Sequence, residues 1–85
     1  MNVELSGNIA TINVRCMCND EVKVNVYLNG TTYVGDALCT YAWTPDGTYI
    51  FNFTNPYQEV ASFDFYLMAD GEQMAVSQSV LLNGN

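Results

Sequence analysis

Apolar and polar residues alternate along most of the chain. In residues 9–16, Ile12, Val14 and Cys16 fall on one side and Thr11, Asn13 and Arg15 on the other, the period-two pattern of a strand with one buried face. Residues 22–29 repeat it more cleanly, with Val22, Val24, Val26 and Leu28 against Lys23, Asn25, Tyr27 and Asn29. In residues 48–54, Tyr49, Phe51 and Phe53 oppose Thr48, Asn52 and Thr54, while Ile50 on the polar side implies a partly covered second face. Residues 61–69 set Ala61, Phe63, Phe65, Leu67 and Ala69 against Ser62, Asp64, Tyr66 and Met68. The core is therefore expected to hold Val24, Val26, Phe51, Phe63, Phe65 and Leu67.

Weaker strands are expected at residues 32–34, interrupted by Gly35-Asp36, and at residues 37–44, where Cys39, Tyr41 and Trp43 share a face. In residues 74–82, Met74, Val76, Val80 and Leu82 are in phase, but Gln78 falls inward in that phase, so the pattern predicts a bulge or bend at residues 77–79. Turn chemistry separates these runs. Asn19-Asp20, Asn29-Gly30, Thr44-Pro45-Asp46-Gly47 and Asp70-Gly71 are turn signals, and Asn55-Pro56 ends a strand because proline cannot donate to a ladder. The tail from Leu82 to Asn85 is expected to fray. No stretch sustains a helical period, so the reading is all-β with six or seven short antiparallel strands, the habit of a sandwich or small barrel.

Composition narrows the class. Of 85 residues, 49% are hydrophobic and 13% charged, which excludes a charge-rich disordered tail. That length predicts one domain over residues 1–85 with a thin core, about 63% of the extended surface being buried on folding. No apolar run reaches the roughly 18 residues of a membrane-spanning helix, so no membrane insertion is expected. Nine acidic residues against Arg15 and Lys23 give a net charge of −7, which repels phosphate backbones and anionic lipid, so nucleic acid is not expected as a partner. Residues 1–7 carry neither a basic segment nor an apolar signal core. Cytoplasmic residence is expected if Met1 is the native start, and an extracellular or virion-associated location if the chain belongs to a longer one.

Candidate chemistry is sparse. There is no histidine, so neither Cys16, Cys18, Cys39 nor any hydroxyl has the usual base to activate it. The carboxylates fall mainly in turns, and mid-strand Asp64 points outward, so no converging acid–base pair is expected. Three cysteines without histidine make a poor zinc site, and Asp20, Glu21, Asp36 and Asp46 lack calcium-loop spacing. The reading is a non-enzyme with no cofactor. The cysteines are read either as three reduced thiols or as a bridge from Cys39 to Cys16 or Cys18.

The aromatic residues are the richer resource. Tyr27 and Tyr66 fall on the outward phase of their strands, and with Lys23 and Asp64 they form a candidate protein-binding face. Tyr33, Tyr41, Trp43 and Tyr57 are candidates for a carbohydrate-stacking platform, with Trp43 alternatively filling the core.

The segments Tyr49-Ile50-Phe51-Asn52-Phe53 and Ala61-Ser62-Phe63-Asp64-Phe65-Tyr66-Leu67-Met68-Ala69-Asp70-Gly71 resemble the late strands of bacterial accessory sandwich modules, over about half the chain. The resemblance implies a small immunoglobulin-like or fibronectin-type-III-like β-sandwich of about seven antiparallel strands. The antibody-type Cys, Trp, Cys order is missing, because Trp43 follows all three cysteines. The functional expectation is a non-catalytic accessory or protein-interaction module of a larger bacterial or viral assembly, partnered by another protein or by its own parent polypeptide. The alternatives are a carbohydrate-binding module and a structural virion or capsid-decoration protein that self-associates through unpaired strand edges.

Overall fold

A computed structural model describes residues 1–15, 21–41 and 47–85. They form nine strands: β1 (Asn2–Ser6), β2 (Ile9–Arg15), β3 (Val22–Leu28), β4 (Thr32–Asp36), β5 (Leu38–Tyr41), β6 (Thr48–Thr54), β7 (Ala61–Ala69), β8 (Glu72–Val76) and β9 (Val80–Leu82). The first sheet runs β1-β2-β6-β5 and the second β4-β3-β7-β8, with β9 also paired to β7. Every pairing is antiparallel. The two sheets pack face to face as a sandwich.

The alternation read from the sequence sets the packing. Ala10, Ile12 and Val14 on β2 and Tyr49, Phe51 and Phe53 on β6 turn inward from the first sheet. Val24 and Val26 on β3 and Phe63, Phe65 and Leu67 on β7 meet them from the second. Phe53 crosses between the layers, its ring edge-to-face with Phe63 at 5.1 Å and Phe65 at 5.9 Å, the geometry that aligns ring edges with ring faces. All six expected core residues are buried.

Turn chemistry behaves as its residues require. Asn29 and Gly30 have φ of 54° and 75°, and Asp70 and Gly71 have 56° and 78°. Two successive positive φ values are what a type I′ hairpin demands, and Asn-Gly and Asp-Gly supply them at low cost. Ala69 pairs directly with Glu72 across the second of these. Gly47 also has positive φ, 79°; the rest of the expected turn, Thr44, Pro45 and Asp46, lies outside the described residues, as do Asn19-Asp20, Cys16, Cys18 and Trp43.

Four expectations are corrected. First, β1 is a strand that the pattern did not announce, because only Val3 of its five residues is even partly buried, leaving no alternation to read. Second, the run at residues 74–82 is two strands with a phase change. Met74 is an extra residue between the pairs Leu67↔Ala75 and Met68↔Gln73, so Ala75 faces the core while Met74 and Val76 are 59% and 48% exposed. The break at residues 77–79 restores the inward phase, and Val80 and Leu82 face the core. Third, Gly35 and Asp36 do not interrupt β4 but belong to it, with Val34 bulged between the pairs Val26↔Gly35 and Tyr27↔Tyr33. In β5 a similar bulge separates Cys39↔Phe51 from Tyr41↔Ile50; this breaks the strict alternation expected there, and Cys39 is exposed.

The fourth correction is the tail, which is pinned instead of frayed. Leu82 is fully buried, Asn83 N–H donates to the Gly7 carbonyl at 3.1 Å, and Asn85 N–H donates to the Tyr57 carbonyl at 3.0 Å. Gly84 lies so close to the backbone of Gln58 and Glu59 that a Cβ there would collide with the Gln58 carbonyl. Only glycine fits.

Candidate functional site

The outward face of the second sheet collects the chemistry. Strand register alone dictates its rows. In one, Tyr33 on β4 lies beside Tyr27 on β3, which lies beside Asp64 on β7. In the next, Asp36, Asn25, Tyr66 and Val76 follow one another across β4, β3, β7 and β8. The bulge at Val34 permits the first row: by shifting the register one position, it sets Tyr33 directly opposite Tyr27 on the outward side.

The three tyrosines form one ladder. Tyr27 packs edge-to-face on Tyr33 with centroids 5.5 Å apart and planes at 65°, and on Tyr66 at 4.9 Å and 66°. Tyr27 and Tyr66 are half-buried by this contact, whereas Tyr33 stays 52% exposed. Each carboxylate in these rows is held by a hydroxyl. Tyr33 Oη donates to Asp36 Oδ1 at 2.8 Å, and Ser79 Oγ donates to Asp64 Oδ1 at 2.6 Å. The hydrogen bond to Asp36 raises the Tyr33 hydroxyl above its ordinary pKa, with desolvation and the charges of Asp36 and Tyr27 acting in the same direction. In the second row, beside Tyr66, Asn25 Oδ1 is buried without a hydrogen-bond partner among the described residues.

Of the protein-binding candidates, Tyr27, Tyr66 and Asp64 lie together, and Tyr33 joins them from the carbohydrate set. Lys23 sits one row further on, opposite Met68. There it lines a separate hollow of ≈ 380 Å³ with Glu21 and Asp70. Of the remaining carbohydrate candidates, Trp43 lies outside the described residues and the other two lie elsewhere. Tyr41 belongs to β5 of the first sheet. Tyr57, in the β6–β7 connection, stacks on Phe63 with centroids 6.3 Å apart and planes at 8°. It borders an open groove of ≈ 710 Å³ with Leu28, Val60 and Leu81. Val60 and Leu81 are among the most exposed apolar side chains there.

Sequence reasoning missed two contributors. Asp36 read as a turn carboxylate, and its role depends on the Val34 bulge, which no local signal announces. Ser79 read as part of a bend, and only the return of the chain after β8 carries it to Asp64. Among the described residues, no three cysteine or carboxylate side chains converge as a metal site, and no helix is long and apolar enough to cross a membrane. Compared with known proteins, the chain matches no family model, no curated protein and no solved structure.

Proposed function

We propose that this chain is a non-catalytic β-sandwich module that binds a protein partner through the outward face of the β4-β3-β7-β8 sheet, as an accessory domain of a larger assembly. One observation carries the reading. Three tyrosines pack against one another on an uncovered sheet face, with exposed Val76 beside Tyr66 in the same row. Tyrosine is favoured at interfaces because it buries a large area with few rotamers to freeze while its hydroxyl keeps a polar handle. Packing the rings against each other removes part of that rotamer freedom before binding, which lowers the entropic cost of association.

An immunoglobulin-like strand order is part of the same proposal. The orders β1-β2-β6-β5 and β4-β3-β7-β8 correspond to ABED and C′CFG, with the last strand divided into β8 and β9. The open face is then the one built around the third and seventh strands of the chain.

The test is the double substitution Tyr27→Ser and Tyr66→Ser. A partner captured on the intact protein is purified and titrated calorimetrically against both forms, with thermal melting in parallel. The edge-to-face contact contributes about 0.5–1.5 kcal/mol to stability, so the variant should melt earlier yet cooperatively. Association should weaken by at least about 2 kcal/mol. Unchanged affinity in a folded variant removes this face as the recognition site.

A further inference from the structure

Resting on that reading, we propose that the ladder of Tyr33, Tyr27 and Tyr66 receives an arginine side chain from a basic segment of the partner, with the guanidinium lying against the rings between Asp36 and Asp64. The two rows hold two carboxylates and three rings and no cationic side chain, and the one lysine of the sheet lies a row away. Each carboxylate has one oxygen engaged by a hydroxyl, Asp36 by Tyr33 and Asp64 by Ser79, and these bonds fix the carboxylates at opposite corners of the ladder. The tyrosine faces add the negative lobe of their quadrupoles.

A ligand that matches such a surface is cationic and brings donors to the carboxylates. Guanidinium does both: it has five N–H donors and a flat, weakly hydrated surface that stacks on aromatic rings. An ammonium group is more strongly hydrated and cannot bond a carboxylate through two parallel donors, so arginine is favoured over lysine. The net charge of −7 acts at longer range, steering a basic partner toward the domain and repelling a second copy of it.

The experiment uses the 85-residue chain and a blocked pentapeptide carrying two arginines, with a citrulline peptide as the uncharged isostere and a lysine peptide as the second control. Binding is followed by NMR of the tyrosine ring protons. The arginine peptide should saturate shifts of Tyr27, Tyr33 and Tyr66, and the citrulline peptide should bind roughly tenfold more weakly. The exposed substitutions Tyr33→Leu and Asp36→Asn, which leave the core untouched, should each weaken the arginine peptide. Equal binding of arginine and citrulline overturns the proposal. So does an arginine response that is spread over the acidic surface and indifferent to Tyr33→Leu. If the double tyrosine variant loses its captured partner while the face does not distinguish arginine from citrulline, the arginine inference falls and the interaction reading stands.

Discussion

A buried polar side chain persists only when its hydrogen-bonding groups are met, and Asn55 shows how one residue can meet that condition by closing a pole of the domain. It is fully buried. Its Nδ2 donates toward the carbonyls of Glu59 at 3.0 Å, Asn83 at 3.0 Å and Leu82 at 3.3 Å, and its Oδ1 accepts the Tyr57 N–H at 2.8 Å. Its own N–H donates to the Asn8 carbonyl at 2.8 Å. One residue thus ties the β1–β2 turn, the β6–β7 connection and the tail. We expect Asn55→Ala to cost about 2–4 kcal/mol in urea unfolding, because several buried groups lose their partner at once. Asn55→Asp should cost more, since a carboxylate would face three carbonyl oxygens. A loss under about 0.5 kcal/mol for Asn55→Ala would mean that the backbone bonds alone hold this pole. In the sequence, Asn55-Pro56 signals a strand end and nothing more. The side-chain partners lie up to 28 residues away and Asn8 farther still, and only tertiary closure brings them near, so the residue's role was not legible.

At the level of elements, legibility followed burial. Strands β2, β3, β6 and β7 each bury one face continuously, so a period of two exposes them in the sequence and places Phe63, Phe65 and Leu67 correctly. Strands at the edges bury little or carry bulges, so their patterns fade: β1 leaves no alternation, and β8 changes phase at Met74. For the candidate site, the outward phase of Tyr27 and Tyr66 could be read locally. Their meeting with Tyr33 could not, because it depends on a one-residue slip at Val34. The break between β8 and β9 was legible as a conflict at Gln78, and the structure shows what sustains it. Ser77 N–H donates to the Phe65 carbonyl at 2.8 Å, and Ser77 Oγ accepts the Phe65 N–H at 3.0 Å. The hydroxyl thereby replaces a backbone carbonyl in the ladder while the chain turns away. Ser77→Ala leaves the N–H of a fully buried residue unmet and should cost about 1–3 kcal/mol, whereas Ser77→Thr, which keeps the oxygen, should recover most of it. Equal losses in the two variants, measured by chemical unfolding, would assign the effect to packing at the bend and not to the hydrogen bond.

Across the whole molecule, two devices bear on how its sheet edges meet other chains. The outer strands β4, β5 and β8 each carry a bulge, at Val34, Thr40 and Met74 respectively, and a bulge twists an edge away from regular pairing. Strand β1 lacks one and pairs with β2 in unbroken register from Asn2↔Asn13 to Ser6↔Ile9, so its outer edge is the most regular of the four. The second device is charge, since nine acidic groups against two basic ones oppose the approach of a like copy. The same repulsion acts within the fold, because folding gathers these groups on one small surface. Screening should therefore stabilise the native state more than the expanded one. Raising sodium chloride from about 10 mM to about 150 mM shortens the screening length from about 30 Å to about 8 Å, less than the spacing of most exposed charges on such a surface. A relief of about 1 kcal/mol corresponds to a rise of about 4–8 °C in melting temperature for a domain of this size. Scans at several protein concentrations separate this from association, which would make the melting temperature depend on concentration. A melting temperature that stays flat or falls as salt is added would show that local attractive pairs involving Arg15 and Lys23 outweigh the net charge.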